Sequence, residues 1–371
     1  MATLEEIELA LYNDSVRNQV NVEKYKASEV KKIEPFLRSI NAYIIQRLSF
    51  ADLTTYRRDR LVTLLKAINE YVADQFAEFT RENKKEWRRF ARYQAKLEAA
   101  NITGATGVAA FEAVVPSAAQ VYAAATTTPL SIRTTGAGLV LDGYTRRWSA
   151  TQQQNIVGNI SQGVAEGQTN AEIIKRIRGT AARKYADGAL GLTYRQTEAY
   201  VRTIVQHISS TSRMQTMEAN KVKQYQWRST LDARTCETCA SLSNQVYDVG
   251  AGPLPPIHPQ CRCQIVEILD PEWQFLLEDA EQSSVFGPVP ADQSYYDWLK
   301  TQNAAWQDYA IGPTYGKLLR KGGLSADQFA KLRLERYTGK PRTLLEMEDI
   351  NPSAFRKAGI KLNPITGRPI S

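Results

Sequence analysis

CETCASLSNQVYDVGAGPLPPIHPQCRC, residues 236–263, holds all four cysteines of the 371-residue chain and one of its two histidines. Cys236 and Cys239 form a C-x-x-C pair, and His258, Cys261 and Cys263 return on the far side of a loop. Two side chains on one tight turn can grip half of a tetrahedron, and a second cluster can supply the rest. Thiolate and imidazole donors suit Zn2+, which needs no redox partner chemistry. Five candidates compete for four positions, so the expected cofactor is a structural zinc held by four of Cys236, Cys239, His258, Cys261 and Cys263, with Cys236 and Cys239 the safest and either Cys261 or His258 the one left out. The competing reading is a pair of disulfides or plainly packed thiols. Disulfides belong to oxidising compartments, and the opening MATLEEIELA is charged and helix-like rather than a signal peptide.

Working outward, the residues before the first cysteine alternate: Val222, Gln224, Gln226 and Arg228 on one side, Lys223, Tyr225 and Trp227 on the other. This predicts a strand, and CQIVEIL (263–269) predicts its antiparallel return. A metal would hold together two strands too short to stand alone.

The run WRSTLDARTCETCASL (227–242) with PPIHPQCRC (255–263) resembles the Mu F-like head morphogenesis proteins of tailed bacteriophages. The matching positions are Trp227, Asp232, Cys236, Cys239, Gly250, Gly252 and His258 through Cys263. Thr197 and Glu198 fall where that family carries a Thr-Glu pair, although Arg195 and Gln196 before them depart from its pattern. GVAEGQTNAEI (163–173), with Ile177 and Arg178, fits the family's turn before a helix. YDWLKTQ (296–302), Gly312-Pro313 and GGLS (322–325) resemble a tail found in some members. The resemblance is specific over 190–268, looser over 155–190 and 290–350, and does not reach the first hundred residues. It implies a minor capsid protein, with the portal and capsid as partners in several copies. Its place would be the host cytoplasm during assembly and then the virion, inside the head, where it contacts or leaves with the DNA.

Elsewhere the pattern is helical. Leu4, Ile7, Leu9 and Leu11 begin a helical region that continues through Ile33, Phe36, Leu37, Ile40, Tyr43, Ile44 and Leu48, with Pro35 marking a kink or a new first turn. Ser49 and Asp52 offer cap chemistry. A longer helix is expected over 53–100, with a stripe of Leu61, Leu65, Ile68, Val72, Phe76, Phe79, Trp87, Phe90 and Leu97. Arg81, Lys85, Arg88, Arg89, Arg92 and Lys96 gather on its other side, at a spacing suited to nonspecific contact with double-stranded DNA. The alternative is a solvated face on which Glu82, Glu86 and Glu98 offset the charge. Residues 101–136 are small and nearly uncharged, with a helix expected near 108–125 and a domain boundary near 135. Further helices are read after Thr145, from a cap at Thr169 or Asn170 to a stop at Gly179, and from Leu192 to about Asn220. His207 on the last of these reads as core or helix surface rather than a ligand, and Glu198 as a first-turn carboxylate or a buried partner for a cation.

Beyond Asp270-Pro271, residues Gly287, Pro288 and Pro290 read as a linker. Short helices follow near 313–321, 325–336 (capped by Ser325) and 343–350 (capped by Thr343), and the final residues NPITGRPIS read as coil. Trp298, Trp306 and Tyr309 read as anchors for docking on a partner, or else as side chains that fold back onto 145–270. The expected fold class is therefore mainly α: long N-terminal helices (1–135), a helical middle domain with a small β-hairpin zinc-knuckle module (136–270), and an extended C-terminal arm of short helices (271–371).

Composition limits the functions. Hydrophobic residues make up 43% and charged ones 23%, and the net charge is +8. The mild positive excess favours nucleic acid or an acidic protein surface, and there is no run of eighteen apolar residues for a membrane span. A G-x-x-x-x-G-K, G-x-S-x-G or H-E-x-x-H motif is absent. A sulfur-rich, overfull ligand set is the pattern of a closed structural site rather than a catalytic one. The chain is expected not to be an enzyme; the alternative is a zinc-containing nucleic-acid-binding protein or a nuclease or toxin-like enzyme.

Overall fold

The computed structural model describes residues 4–50, 58–106, 112–132, 138–268, 281–335 and 340–370, with side chains throughout except those of 4–16, 58–60 and 104–106. The side chains expected to start the first stripe, the cap at Asp52 and the break at Asp270-Pro271 lie outside what is described.

Helix α1 (Leu4–Lys31) ends at a turn, and α2 (Glu34–Ser49) starts with Pro35 in its first turn, where a missing N–H costs nothing. Ser49 closes α2 instead of capping the next helix. Helix α3 (Arg58–Thr106) has 49 residues, about 73 Å at roughly 1.5 Å per residue. Its expected stripe is the buried one: Ile68, Val72, Phe76, Phe79, Trp87 and Phe90 all face inward. The first two helices lie along it, as ring pairs Tyr25–Phe90 (4.3 Å), Phe36–Phe79 (5.6 Å) and Tyr43–Tyr71 (3.9 Å) record in order.

The helix expected near 108–125 is instead α4 (Ala118–Thr127), because Ser117 and Gln120 form a reciprocal capping box that fixes its start. Helix α5 (Leu141–Ala165) is followed by α6 (Asn170–Arg178), which the Thr169–Glu172 capping box opens and Gly179 ends. Helix α7 (Ala189–Ala219) begins three residues earlier than its apolar pattern suggested. Gly188, which precedes it, lies so close to Gly179 that a Cβ there would sit 2.4 Å from the Gly179 nitrogen.

One apolar cluster joins Val22 and Val30 of α1, Ile40 of α2, Phe76 and Trp87 of α3, Val121 of α4, Trp148 of α5, Ile173 of α6 and Ile204 of α7. The same core therefore runs across the boundary expected near 135. Helix α4 packs on α3 and α7 through Val121 and Ala125. No helix among the described residues is long and apolar enough to cross a membrane.

Strand β1 (Gln224–Arg228) follows α7. After it come helix α8 (Glu237–Leu242), β2 (Val246–Asp248) and β3 (Gln264–Ile268), forming an antiparallel sheet in the order β2-β1-β3. The predicted pairing is present, with Gln224 opposite Ile268 and Arg228 opposite Gln264. The third strand, β2, lay inside the loop and went unread. Arg213 of α7 pins this sheet to the bundle, pairing with Glu98 of α3 (2.8 Å) and Glu267 of β3 (3.3 Å), all three buried. Burial, and then the nearby Glu98, push the Glu267 carboxyl well above the usual range.

The segment read as a linker is a hairpin of β4 (Glu281–Ser284) and β5 (Gly287–Pro290), where Gly287 takes φ +121°. Short helices α9 (Tyr295–Thr301), α10 (Ala304–Ile311), α11 (Pro313–Lys321), α12 (Ala326–Arg333), α13 (Leu344–Ile350) and α14 (Pro352–Ala358) complete the arm. Ser325 and Thr343 cap as expected. These helices build a core of their own around Tyr295, Tyr296, Trp298, Leu318, Phe329 and Phe355, completed by Leu231 and Ala240 from the cysteine module.

Candidate metal centre

The chain leaves β1 through Ser229 and Thr230, and Asp232 then ties the loop's two limbs together. Its carboxylate accepts two hydrogen bonds from Arg262, at 2.6 and 2.8 Å, and one from the Arg234 backbone N–H at 2.9 Å. Burial disfavours the charged form of Asp232, but the Arg262 hydrogen bonds outweigh it and hold the carboxyl below its ordinary range. Arg262 sits between Cys261 and Cys263, so the Asp232 fork sets the direction of the C-R-C limb.

Cys236 is the N-cap of α8, and its Sγ accepts the Cys239 backbone N–H at 3.4 Å. That one turn carries both C-x-x-C thiols to the same side. Ser229 donates to the Cys239 carbonyl and accepts from Trp227 Nε1 (3.1 Å). Trp227, Ile257 and the cysteines Cys239, Cys261 and Cys263 form one buried cluster. The second limb is fixed from the helical bundle. Thr203 Oγ1 accepts the Gln260 N–H (3.0 Å), Gln206 donates to the Cys263 carbonyl (3.0 Å), and Lys26 reaches both Gln206 (2.6 Å) and the Cys261 carbonyl (3.3 Å).

Cys236, Cys239 and His258 bring ligand atoms within 4.8 Å of one another, as do Cys239, Cys261 and Cys263. Cys239 belongs to both groups. Its Sγ lies 3.3 Å from His258 Nε2 and 3.9 Å from Cys261 Sγ. A tetrahedral centre with metal–sulfur bonds of about 2.3 Å has sulfur–sulfur edges of about 3.8 Å, so Cys239 and Cys261 stand at the spacing a single ion requires. All four cysteines are free thiols. The electrostatics fit a cation as well. Cys236 is pulled down to about 5, chiefly by its hydrogen bond with Cys239. Burial opposes a charge on His258, yet its hydrogen bonds with Cys236 and Cys261 push it up to about 11. The Cys/His cluster can hold a metal.

The other expected residues fall into two groups. Arg81, Lys85, Arg88, Arg89, Arg92 and Lys96 are all exposed on α3. Arg81 pairs with Glu78, Arg89 with Glu86 (2.8 Å), and Arg88 lies 4.9 Å above the Tyr122 ring. A cleft of about 620 Å³ opens between this face and α5. In the tail, Trp298 is 1% exposed and packs edge-on against Trp306 (5.0 Å), so it is a core residue and not a free anchor. The docking expectation narrows to Tyr309, which is 78% exposed, and the open side of Trp306.

His207 is buried, with Nε2 2.9 Å from the Ala125 carbonyl, and burial pushes it down to about 4; it is core, as expected. Glu198 pairs with Arg202 (2.9 Å) well past the first turn of α7, so its role is that of a cation's partner. Sequence reasoning missed Lys26 and Gln206, which support the cysteine limb from helices far away in the chain. It also missed Arg333 of α12, which is buried, pairs with Glu237 inside the C-x-x-C turn and stacks over Tyr315 at 3.7 Å. A charge between two cysteines was the one signal for that last contact.

Residues 154–266 match the family model described as Phage Mu protein F like protein. No curated protein and no solved structure matches the chain.

Proposed function

We propose that this chain, Mu F-like over residues 154–266, is a minor head protein of a tailed bacteriophage that acts in head morphogenesis. In this reading it joins the procapsid in the host cytoplasm in several copies beside the portal and remains inside the head. The cationic face of α3 contacts the packaged DNA. The cysteine module carries a structural zinc and no catalysis.

The observation that carries the structural role is the closure of the centre. Its donors are sulfur-rich, at least four in number, and fastened from α1, α7 and the tail core, which leaves no position reserved for a substrate. Cys239, His258 and Cys261 contact one another. Taking Cys236, whose Sγ accepts the Cys239 N–H, as the fourth ligand completes a knuckle and makes Cys263, in the same buried cluster, the spare thiol, where the sequence had pointed to Cys261 or His258.

Two experiments test this reading. Purified protein should contain one zinc per chain, and Cys263→Ser should retain it where Cys236→Ser does not. Heads purified free of tails should contain the protein, and heads assembled without it should be defective. A protein absent from such heads, with normal assembly in its absence, would remove the morphogenesis reading whatever the zinc result.

A further inference from the structure

The cleft between α3 and α5 gathers more positive charge than either helix offers alone. Arg81, Lys84, Lys85 and Arg88 line one wall, Arg146 lines the other, and Asp142 is the one carboxylate among the lining residues. Asp142 is taken up by Lys84 at 2.7 Å, and Arg81 by Glu78. Lys85 and Arg146 have no ion-pair partner among the described residues. Thr80, Thr145 and Ser149 give the cleft a small, polar lining. A cleft with low-dielectric walls and one sign of charge concentrates its field on an anion.

The arrangement also shows which anion. Arg81, Lys85, Arg88, Arg92 and Lys96 recur at intervals of three and four, so all five fall within about 80° of the α3 circumference. From first to last they cover about 22 Å at roughly 1.5 Å per residue. One strand of a duplex spaces its phosphates about 3.4 Å apart along the axis, so this length accompanies about six of them. A small anion would need the cleft alone. An extended polyanion uses the cleft and the exposed row that continues from it to Arg92 and Lys96.

We propose that the α3–α5 cleft seats the phosphodiester backbone of DNA, held from opposite walls by Lys85 and Arg146. This rests on the nucleic-acid reading of the α3 face given above and adds to it a second wall, from α5, that fixes where the backbone lies across α3.

The experiment measures binding of the full-length protein to a labelled duplex of arbitrary sequence across a salt series. Each phosphate contact contributes close to one unit to the slope of log K against log salt. Lys85→Ala/Arg146→Ala should lower the slope by about two and the affinity roughly tenfold or more at moderate salt. Arg147→Ala, an exposed neighbour that does not line the cleft, should change the slope by less than half a unit. Unaltered thermal melting would show that the exposed substitutions leave the fold intact. If Arg92→Ala/Lys96→Ala lowers the slope while Lys85→Ala/Arg146→Ala does not, the α3 face binds DNA without the cleft and the inference is overturned. If neither pair lowers it, the nucleic-acid reading of α3 falls too.

Discussion

Removing the Asp232 carboxylate tests whether the cysteine module is one mechanical unit. The Asp232–Arg262 fork is a charged side-chain tie between the limb that carries Cys236 and the limb that carries Cys261 and Cys263, with both hydrogen bonds at 2.8 Å or less and side chains only 12% and 20% exposed. Asp232→Ala leaves the Arg262 guanidinium half-buried without its partner, at a cost of about 3 kcal/mol for breaking a largely buried pair. With the proposed zinc in place, some of that cost would appear as lost metal affinity, because groups that orient ligands change affinity by roughly 10–100-fold when lost. Zinc affinity would be measured by competition with a chromogenic chelator, alongside a double-mutant cycle with Arg262→Ala. Strong coupling between the two sites is expected, with the double variant little worse than either single one. Affinity within twofold of wild type in Asp232→Ala, or simple additivity in the cycle, would refute the fork's role. The pH dependence has a defined sign. The folded carboxyl of Asp232 titrates below its unfolded value, so its contribution is complete above about pH 4 and is lost as pH falls through the lower, folded value.

Cys239→Ser removes the thiol shared by both donor groups, and it should abolish metal binding and melt the 224–268 module, since structural zinc supplies on the order of 10 kcal/mol; equal melting of mutant and wild type, with and without chelator, would count against a metal altogether. Arg213→Ala should destabilise the chain by about 3–5 kcal/mol, because it leaves Glu98 and Glu267 buried without their cation, and a denaturant midpoint unchanged from wild type would show that the triad does not hold the sheet to the bundle. Truncation before residue 281 should give a product prone to aggregation, as it uncovers Leu231 and Ala240; a monomeric, metal-loaded fragment would mean that the tail core is separable. Tyr309→Ala should leave thermal stability within about 0.5 kcal/mol while lowering incorporation into heads, and normal incorporation would remove Tyr309 from the docking surface.

What could be read from the sequence was whatever depends on neighbours in the chain. The α3 stripe from Ile68 to Phe90 repeats at helical spacing, so its buried face was visible without a partner. Thr169, Ser325 and Thr343 act within three residues, and the caps they form were visible too. The cysteines stood out because the two halves of the ligand set each occupy one turn. Lys26 gave no such signal, since it meets Gln206 across 180 positions of sequence. The hairpin at 281–290 was hidden because Gly287 and Pro290 are breakers in most settings, and here they are the first and last residues of a short edge strand. Trp298 misled for a related reason. Each helix of the tail is too short to show a periodic face, so a core assembled from six of them looks like scattered aromatics.

The tail and the metal module share more than a boundary. Glu237 lies between Cys236 and Cys239 on the turn that a metal would order, and its carboxylate faces Arg333 from the tail core. Burial lowers Arg333 to about 10, so the guanidinium stays charged at neutral pH and depends on Glu237 and the Tyr315 ring for compensation. Leu231 and Ala240 extend the same contact with apolar surface, and the Tyr295 hydroxyl donates to the Asp232 carbonyl at 3.1 Å. Loss of the metal would disorder the α8 turn, and with it the partner of a buried cation. The tail would then lose its seat together with its charge balance. Glu237→Gln separates these effects: it keeps the donors and the shape of the turn but removes the charge that Arg333 needs. The coupling predicts that this variant binds metal as wild type does, while chymotrypsin, for which Trp273, Phe275 and Phe286 offer sites, cleaves between the β1–β3 module and α9 several-fold faster. Cleavage at the wild-type rate would mean that the apolar contacts alone hold the tail in place.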